Sequence, residues 1–243
     1  MKVRVIIAGS NGRMGQKLVE LAEKSDDFDV VATTTHHDDM PDVKADVLID
    51  FTHPSALSKH LKYCVKNEVA LVLGTTGLSK ADEAAVEKAA KNIPVVCSAN
   101  FSIGVNIMVQ MAEKLARVLD DSFDIEIAEA HHKHKKDAPG GTALMLGRAA
   151  AKGRNIDFDK KAVLSRVGET GPRETGDIGY SVIRGGEIIG EHTVMYIGDN
   201  EHIEISHKAR DRALFAQGAL TAAKWTKGQS NDIYSMTDIL DIN

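Results

Sequence analysis

Val3-Arg4-Val5-Ile6-Ile7-Ala8-Gly9-Ser10-Asn11-Gly12-Arg13-Met14-Gly15 decides how the first half of the chain folds. The six residues from Val3 to Ala8 read as a buried strand. Three glycines in a GxxGxxG spacing follow, and a helix is expected over residues 12–22, with Met14, Leu18 and Leu21 on one face. Glycines between a strand and a helix permit a tight turn and close backbone approach to a pyrophosphate. The helix N-terminus then offers N–H groups and a favourable dipole. The usual dinucleotide spacing is GxGxxG, and a plain tight turn is the competing reading. The strand before and the helix after favour dinucleotide binding.

Outward from this stretch the alternation continues. Strands are expected over residues 30–34, 46–51, 70–73 and 94–98, and helices over 56–67 and 80–91. Strand–helix–strand alternation with short connections implies a parallel sheet wrapped by helices. Two more loops fall at the carboxyl ends of expected strands, where open α/β sheets place ligands. They are Gly74-Thr75-Thr76-Gly77 and Ala99-Asn100-Phe101-Ser102. Their hydroxyls and amide suit a ribose or a nicotinamide amide; helix capping is the alternative.

The pattern changes near residues 100–104. A long helix over 105–119, a strand over 123–130, a polar loop over 131–141 and a helix from Thr142 precede three strands at 178–184, 188–196 and 202–208. Gly185-Gly186 reads as a hairpin turn joining the first two of these. The expected division is 1–102 for dinucleotide binding, 103–212 for substrate binding and oligomerisation, and 213–243 as a helix and tail returning to the first domain.

The 243 residues are 43% hydrophobic and 27% charged, an ordinary globular balance with room for a sizeable core. A net charge of −5 gives no basic field for nucleic acid, so an anionic substrate needs a local positive cluster. The two cysteines, Cys64 and Cys97, form no CxxC pair, which fits a reducing compartment. The opening run is short, interrupted by charge and unlike a secretory signal, and no stretch approaches the length of a membrane helix. The expected location is the cytoplasm, with no membrane partner.

That positive cluster is Glu129-Ala130-His131-His132-Lys133-His134-Lys135-Lys136-Asp137-Ala138-Pro139-Gly140-Gly141-Thr142. Three histidines and three lysines fill six positions between a strand and a helix. Histidine can pass a proton near neutral pH, and lysine can hold a carboxylate or donate a proton. Gly140-Gly141-Thr142 presents backbone N–H groups at a helix start. A solvated charge run and a metal site are the two other readings. The histidines lack an i, i+4 pair, and neither cysteine is near in sequence.

At this loop the chain resembles the dihydrodipicolinate reductase family, whose E-A-H-H-x-H-K-x-D-A-P-S-G-T-A signature is similar to residues 129–143. The likeness extends to residues 9–15, Asp50-Phe51-Thr52, Gly74-Thr75-Thr76-Gly77, Ala99 to Ser102 with Gly104-Val105-Asn106, and Gly190-Glu191-His192-Thr193. The resemblance implies an α/β fold: a Rossmann-like parallel-sheet cofactor domain plus an α+β substrate domain with a mixed sheet, assembled as a homotetramer. It implies reduction of a cyclic dicarboxylic imine by NADH or NADPH in diaminopimelate and lysine synthesis; the histidine spacing, for its part, leads to the expectation of no metal. It makes His131 the proton donor and acceptor and Lys135 a proton donor. It places His132, Gly141 and Thr142 on the substrate. It places Gly9, Ser10, Asn11, Gly12, Arg13, Met14, Gly74, Thr75, Thr76, Ala99, Asn100, Phe101 and Ser102 on the cofactor.

Two departures stand out. Gly140 occupies the position where serine is usual. At the end of the second strand, where many NADH-using members carry an acid, Thr35-His36-His37 precedes Asp38 and Asp39. A protonated histidine there would attract a 2′-phosphate, so dual cofactor use is expected. The rival functions are an aspartate or homoserine dehydrogenase on a similar frame, and a nucleotide-sensing module without catalysis.

Overall fold

A computed structural model describes residues 1–240; the last three residues of the expected 213–243 tail lie outside the described residues. The chain forms two compact units. One contains residues 1–103 together with Arg212 onward, and the other is residues 104–211.

The first unit contains β1 (Val3–Ala8), α1 (Arg13–Glu23), β2 (Phe28–Thr34), β3 (Val47–Asp50), α2 (Pro54–Asn67), β4 (Ala70–Leu73), α3 (Lys80–Ala90) and β5 (Val95–Cys97). After the second unit come α7 (Ala213–Trp225), β11 (Ile233–Tyr234) and α8 (Met236–Leu240). The six strands pair in parallel in the order β11-β5-β4-β3-β1-β2. β3 and β4 are buried at every position, as expected of parallel strands covered on both faces. Successive side chains point to opposite faces. Val5, Ile7, Ile49 and Val72 pack with Leu18 of α1 and Ala216, Ala219 and Ala223 of α7. Ile6, Leu48, Leu71 and Leu73 pack with Leu57 and Leu61 of α2 and Val86 of α3. Burying each such branched side chain stabilises by roughly 1.5–3 kcal/mol before entropy is counted. Small residues let α7 approach closely: a Cβ on Gly218 would stand 1.7 Å from the Phe101 carbonyl oxygen.

The second unit holds α4 (Ile103–Val118), which begins at the boundary, then β6 (Asp124–His131), α5 (Gly141–Arg154), α6 (Phe158–Lys161), β7 (Ala162–Val163), β8 (Ile178–Arg184), β9 (Gly190–Ile197) and β10 (His202–Ala209). Its mixed sheet runs β10-β9-β6-β8-β7. Ile125, Ile127, Tyr180, Val194 and Tyr196 pack on Met108 and Ala112 of α4 and Leu146 and Ala150 of α5.

This order corrects the hairpin expected at Gly185-Gly186. β8 and β9 are not neighbours. β6 lies between them, parallel to β8 and antiparallel to β9. The glycine turn crosses the end of β6 instead: Gly185 N–H donates to His131 O at 2.9 Å, and Lys133 N–H to Gly186 O at 3.2 Å. A two-glycine turn chooses a local bend; which strand fills the place beside it is set by burial far along the chain. The strands β7 and β11 and the short helices α6 and α8 carry too few residues for a periodic signal and were not expected.

Candidate active site

The glycine turn after β1 lies at the carboxyl ends of β1, β2 and β3. Gly9 adopts φ +74°, and its N–H and that of Ser10 donate to Thr34 O at 2.8 and 3.0 Å. Gly12 caps α1 with no side-chain bond, and the first turn of α1 has no acid. A Cβ on Gly15 would stand 2.0 Å from Gly9 O, so this glycine lets the helix seat on the turn. Gly9, Asn11, Gly12, Thr34, Thr35, His36, Phe51, Thr52 and Lys59 line a cavity of about 410 Å³ with four neighbouring residues. Uncapped helix N–H groups, glycine backbone and basic side chains at its rim fit the phosphates and ribose of a dinucleotide.

A buried carboxylate organises the loops around this cavity. Asp50, at the end of β3, accepts from Thr52 N–H (2.9 Å), Thr52 Oγ1 (2.6 Å) and Thr75 Oγ1 (3.0 Å), and its other oxygen lies 2.6 Å from His60 Nδ1. Burial pushes its pKa up, but the bonds from His60, Thr52 and Thr75 outweigh this and hold it below the usual carboxylate range. Thr75 therefore faces the protein interior, while Thr76 is exposed. Gly74 packs flat on Phe51: a Cβ there would stand 2.3 Å from the ring. Asn100 Oδ1 accepts from Ser102 N–H at 2.8 Å. Phe101 and Ser102 are buried, Phe101 within the core. Arg13 opens α1, and Met14 packs half-buried against the core. His60 was missed from sequence; its signal was a histidine on the apolar face shared by Leu57, Leu61 and Cys64.

In the second unit, register builds the site. Glu129 and His131 alternate onto one face of β6. His192 of β9 pairs directly opposite Glu129, and Arg184 of β8 opposite His131. Glu129 is buried. Its Oε1 accepts from Arg184 Nη2 at 2.7 Å and Gly140 N–H at 2.9 Å. Its Oε2 lies 3.5 Å from His131 Nε2 and 3.8 Å from His192 Nε2, and the two Nε2 atoms are 3.4 Å apart. His131 Nδ1 faces Ile189 O at 3.0 Å and must donate to it, which leaves Nε2 as the acceptor in the neutral ring. Gly190 makes room, since a Cβ there would stand 2.9 Å from His131 Cε1.

Burial lowers the His131 pKa; Glu129 pulls it up, and Lys135 and Arg184 push it down. Burial, reinforced by His131, pushes His192 down to about 4. Lys135 pairs with Asp137 at 2.8 Å. A Cβ on Gly140 would stand 2.7 Å from Glu129 Oε2 and 2.8 Å from Lys135 Cε, so the absent serine leaves space that Glu129 and Lys135 fill. A Cβ on Gly141 would meet nothing within 4 Å, and α5 starts there without a side-chain cap. His132 Nδ1 is buried with no hydrogen-bond partner among the described residues, whereas His134 is largely exposed. The arrangement offers a hydrogen-bonded histidine, a cation and the N-terminus of α5, which suits proton transfer to an anionic substrate.

Residues 3–101 match dihydrodipicolinate reductase, N-terminus, and residues 104–240 match dihydrodipicolinate reductase, C-terminus. The chain belongs to the dihydrodipicolinate reductase family. A 4-hydroxy-tetrahydrodipicolinate reductase of Thiobacillus denitrificans is 42% identical, with all of both chains covered. One from Acinetobacter baumannii strain AYE is 50% identical over 198 residues, 82% of this chain and 72% of the relative. The solved, dipicolinate-bound dihydrodipicolinate reductase of Paenisporosarcina sp. TG-14 shares the fold at TM-score 0.77, with 24% identity and all of both chains covered. A diaminopimelate dehydrogenase of C. glutamicum also shares the fold, at TM-score 0.55 and 12% identity. The frame alone therefore does not separate a reductase from an amino-acid dehydrogenase; the family match does.

Within this reductase frame, the sequence reading gave no role to Glu129, Arg184 or His192. Glu129 and His192 stand 63 positions apart, and only the β6–β9 register makes them neighbours. Glu129, His131 and His192 also offer three ligand atoms within 4.8 Å of one another, a grouping that the local spacing of the histidine loop did not reveal.

Proposed function

We infer that this chain reduces 4-hydroxy-tetrahydrodipicolinate to tetrahydrodipicolinate with NADH or NADPH and one proton, the 4-hydroxyl leaving as water, a step of diaminopimelate and lysine synthesis. The observation that carries it is the family match across both units. A nicotinamide bound by the first unit supplies the hydride. The glycine turn and the N-terminus of α1 hold the pyrophosphate, and the loops organised by Asp50, with Ala99 to Ser102, hold the nicotinamide half.

His132, Lys135 and the Gly141 and Thr142 backbone hold the substrate carboxylates. Lys135, released from Asp137, faces the dicarboxylate, and either it or His131 supplies the one proton that balances the hydride. His131 takes up and returns protons at Nε2, and Glu129 stabilises its imidazolium across 3.5 Å. Arg184 holds Glu129 in place from the side of β8. The chain's main contributions are orientation and charge stabilisation.

His36 and Lys59 at the cavity rim support use of both cofactors, since neither repels a 2′-phosphate. Asp38 is turned back onto the Thr35 N–H and hydroxyl at 2.7 and 2.8 Å. The homotetramer is supported by Ile183 and Ile197, exposed on strands of the second sheet. No described helix is long and apolar enough to cross a membrane, and we place the protein in the cytoplasm with its pathway.

The test is a coupled assay that generates the imine freshly and follows NAD(P)H absorbance. Oxidation that requires the imine is expected. A protein that binds NAD(P)H yet oxidises none of it overturns the reading in favour of a sensing module.

A further inference from the structure

We propose that Glu129, His131 and His192 form a binding site for a divalent transition-metal ion of the zinc class, and that its occupation inhibits the enzyme. Three observations carry the site. The first is convergence. Glu129 Oε2, His131 Nε2 and His192 Nε2 form a triangle with edges of 3.4, 3.5 and 3.8 Å. An ion held tetrahedrally by bonds of about 2.0–2.2 Å separates neighbouring donors by about 3.3–3.6 Å. Small side-chain shifts bring all three donors into range.

The second observation is an orphaned oxygen. Glu129 is 2% exposed, and its Oε2 is buried with no hydrogen-bond partner among the described residues, while Oε1 is fully occupied by Arg184 and Gly140. A buried carboxylate oxygen left over in this way asks for a donor or a cation. Gly140 keeps it uncovered, since a Cβ there would stand 2.7 Å away.

The third is orientation. The Ile189 carbonyl holds His131 by Nδ1, which aims the Nε2 lone pair at the triangle. Metal-binding histidines are commonly fixed by such a bond from their other nitrogen. Two imidazoles and one carboxylate suit zinc-class ions better than magnesium or calcium, which take oxygen ligands. With three protein donors, one position stays open to water.

Lys135 and Arg184 stand near the site and oppose a dication, with Asp137 offsetting Lys135. The ion is therefore a reversible occupant and not a resident cofactor. It inhibits because it takes the nitrogen and oxygen that the proposed reduction uses. That half of the inference rests on the functional reading; the binding half does not.

The experiment adds cobalt(II) to chelator-washed protein as a spectroscopic probe and then displaces it with zinc. The expected result is one equivalent of cobalt with the ligand-field bands of a low-coordinate site, lost on adding zinc. His192→Ala and Glu129→Gln should each weaken binding by at least about tenfold, on the scale seen when metal-site groups are altered. His134→Gln and His202→Gln, on exposed histidines outside the triangle, should leave it unchanged. Circular dichroism checks folding. If His192→Ala is unfolded, Gly140→Ala, which crowds Oε2, should weaken cobalt in its place. Zinc should slow imine reduction, a chelator should restore the starting rate, and the chelator alone should change nothing. Absent bands, or bands indifferent to the triangle variants, overturn the site. Zinc bound there without slowing the reaction overturns the inhibition. A protein inactive toward the imine would refute the functional reading, and the cobalt bands would still decide the site.

Discussion

His131 and His134 lie three residues apart, yet only His131 is held at both ring nitrogens, by Ile189 O at 3.0 Å and His192 at 3.4 Å. His134 is exposed, 4.0 Å from Glu187, which is exposed as well. His131→Gln keeps size and hydrogen bonding but loses the titrating proton. General acid–base contributions run to about 10²–10⁴, so kcat should fall within that range, and His134→Gln should stay near the unmodified rate. Equal losses from both changes would remove His131 from its role. Lys135 has a different signature. Its ammonium pairs with Asp137 at 2.8 Å and is proposed to face a substrate carboxylate. Lys135→Ala should raise KM and lower kcat together, because the same charge serves binding and transfer. Normal steady-state kinetics after that change would return the loop to solvated surface. These residue types were legible in the sequence, since their concentration in an acidic chain is a local fact. Their partner Arg184 was not, because an arginine ending a strand gives no sign of the carboxylate on the neighbouring strand that it binds.

Among the elements, the glycine turn separates binding from folding. A Cβ on Gly12 meets only Gly9 O, at 3.2 Å, whereas one on Gly15 would stand 2.0 Å from that atom. Gly12→Val should therefore weaken NAD(P)H binding strongly in a fluorescence titration while the chain still folds. Gly15→Ala should lower the melting temperature, because α1 can no longer seat on the turn. An unchanged affinity in the first variant would detach the cofactor from this loop. The end of β3 makes a prediction about acid. The Asp50 pKa is depressed in the folded chain relative to an unfolded reference of about 3.9. The unfolded chain takes up this proton first as pH falls. The stabilisation is thus complete above the reference and is lost as pH falls through it toward the folded value. Denaturant melts should show the unmodified protein losing stability more steeply than Asp50→Asn between about pH 5 and pH 3. Parallel acid limbs would mean that the carboxylate is not held as the bonds from Thr52, Thr75 and His60 indicate. The Asp-Phe-Thr stretch was legible as the end of a strand that resembles the family, but the linkage to Thr75 and His60 was not. Those contacts span 25 and 10 positions and exist only once β3, β4 and α2 are packed.

The whole molecule is proposed to work as a homotetramer, and light scattering should return the mass of four 26.3 kDa chains. A monomer at micromolar concentration would leave Ile183 and Ile197 without a covering partner and would end that proposal. At this scale the sequence by itself determined the alternation of the first unit, the turn that opens it and the loop proposed to carry the chemistry. Each is written in neighbouring residues: apolar runs long enough for doubly buried strands, glycines at a strand end, and charge massed in six positions. Only the tertiary structure decided the order of the second sheet. Gly185-Gly186 reads locally as a hairpin, yet β6, with Ile125 and Ile127 buried, lies between β8 and β9. That insertion sets Glu129 opposite His192 and His131 opposite Arg184. Strand register couples residues more than fifty positions apart, and nothing in a local stretch records which partner its hydrogen bonds will find.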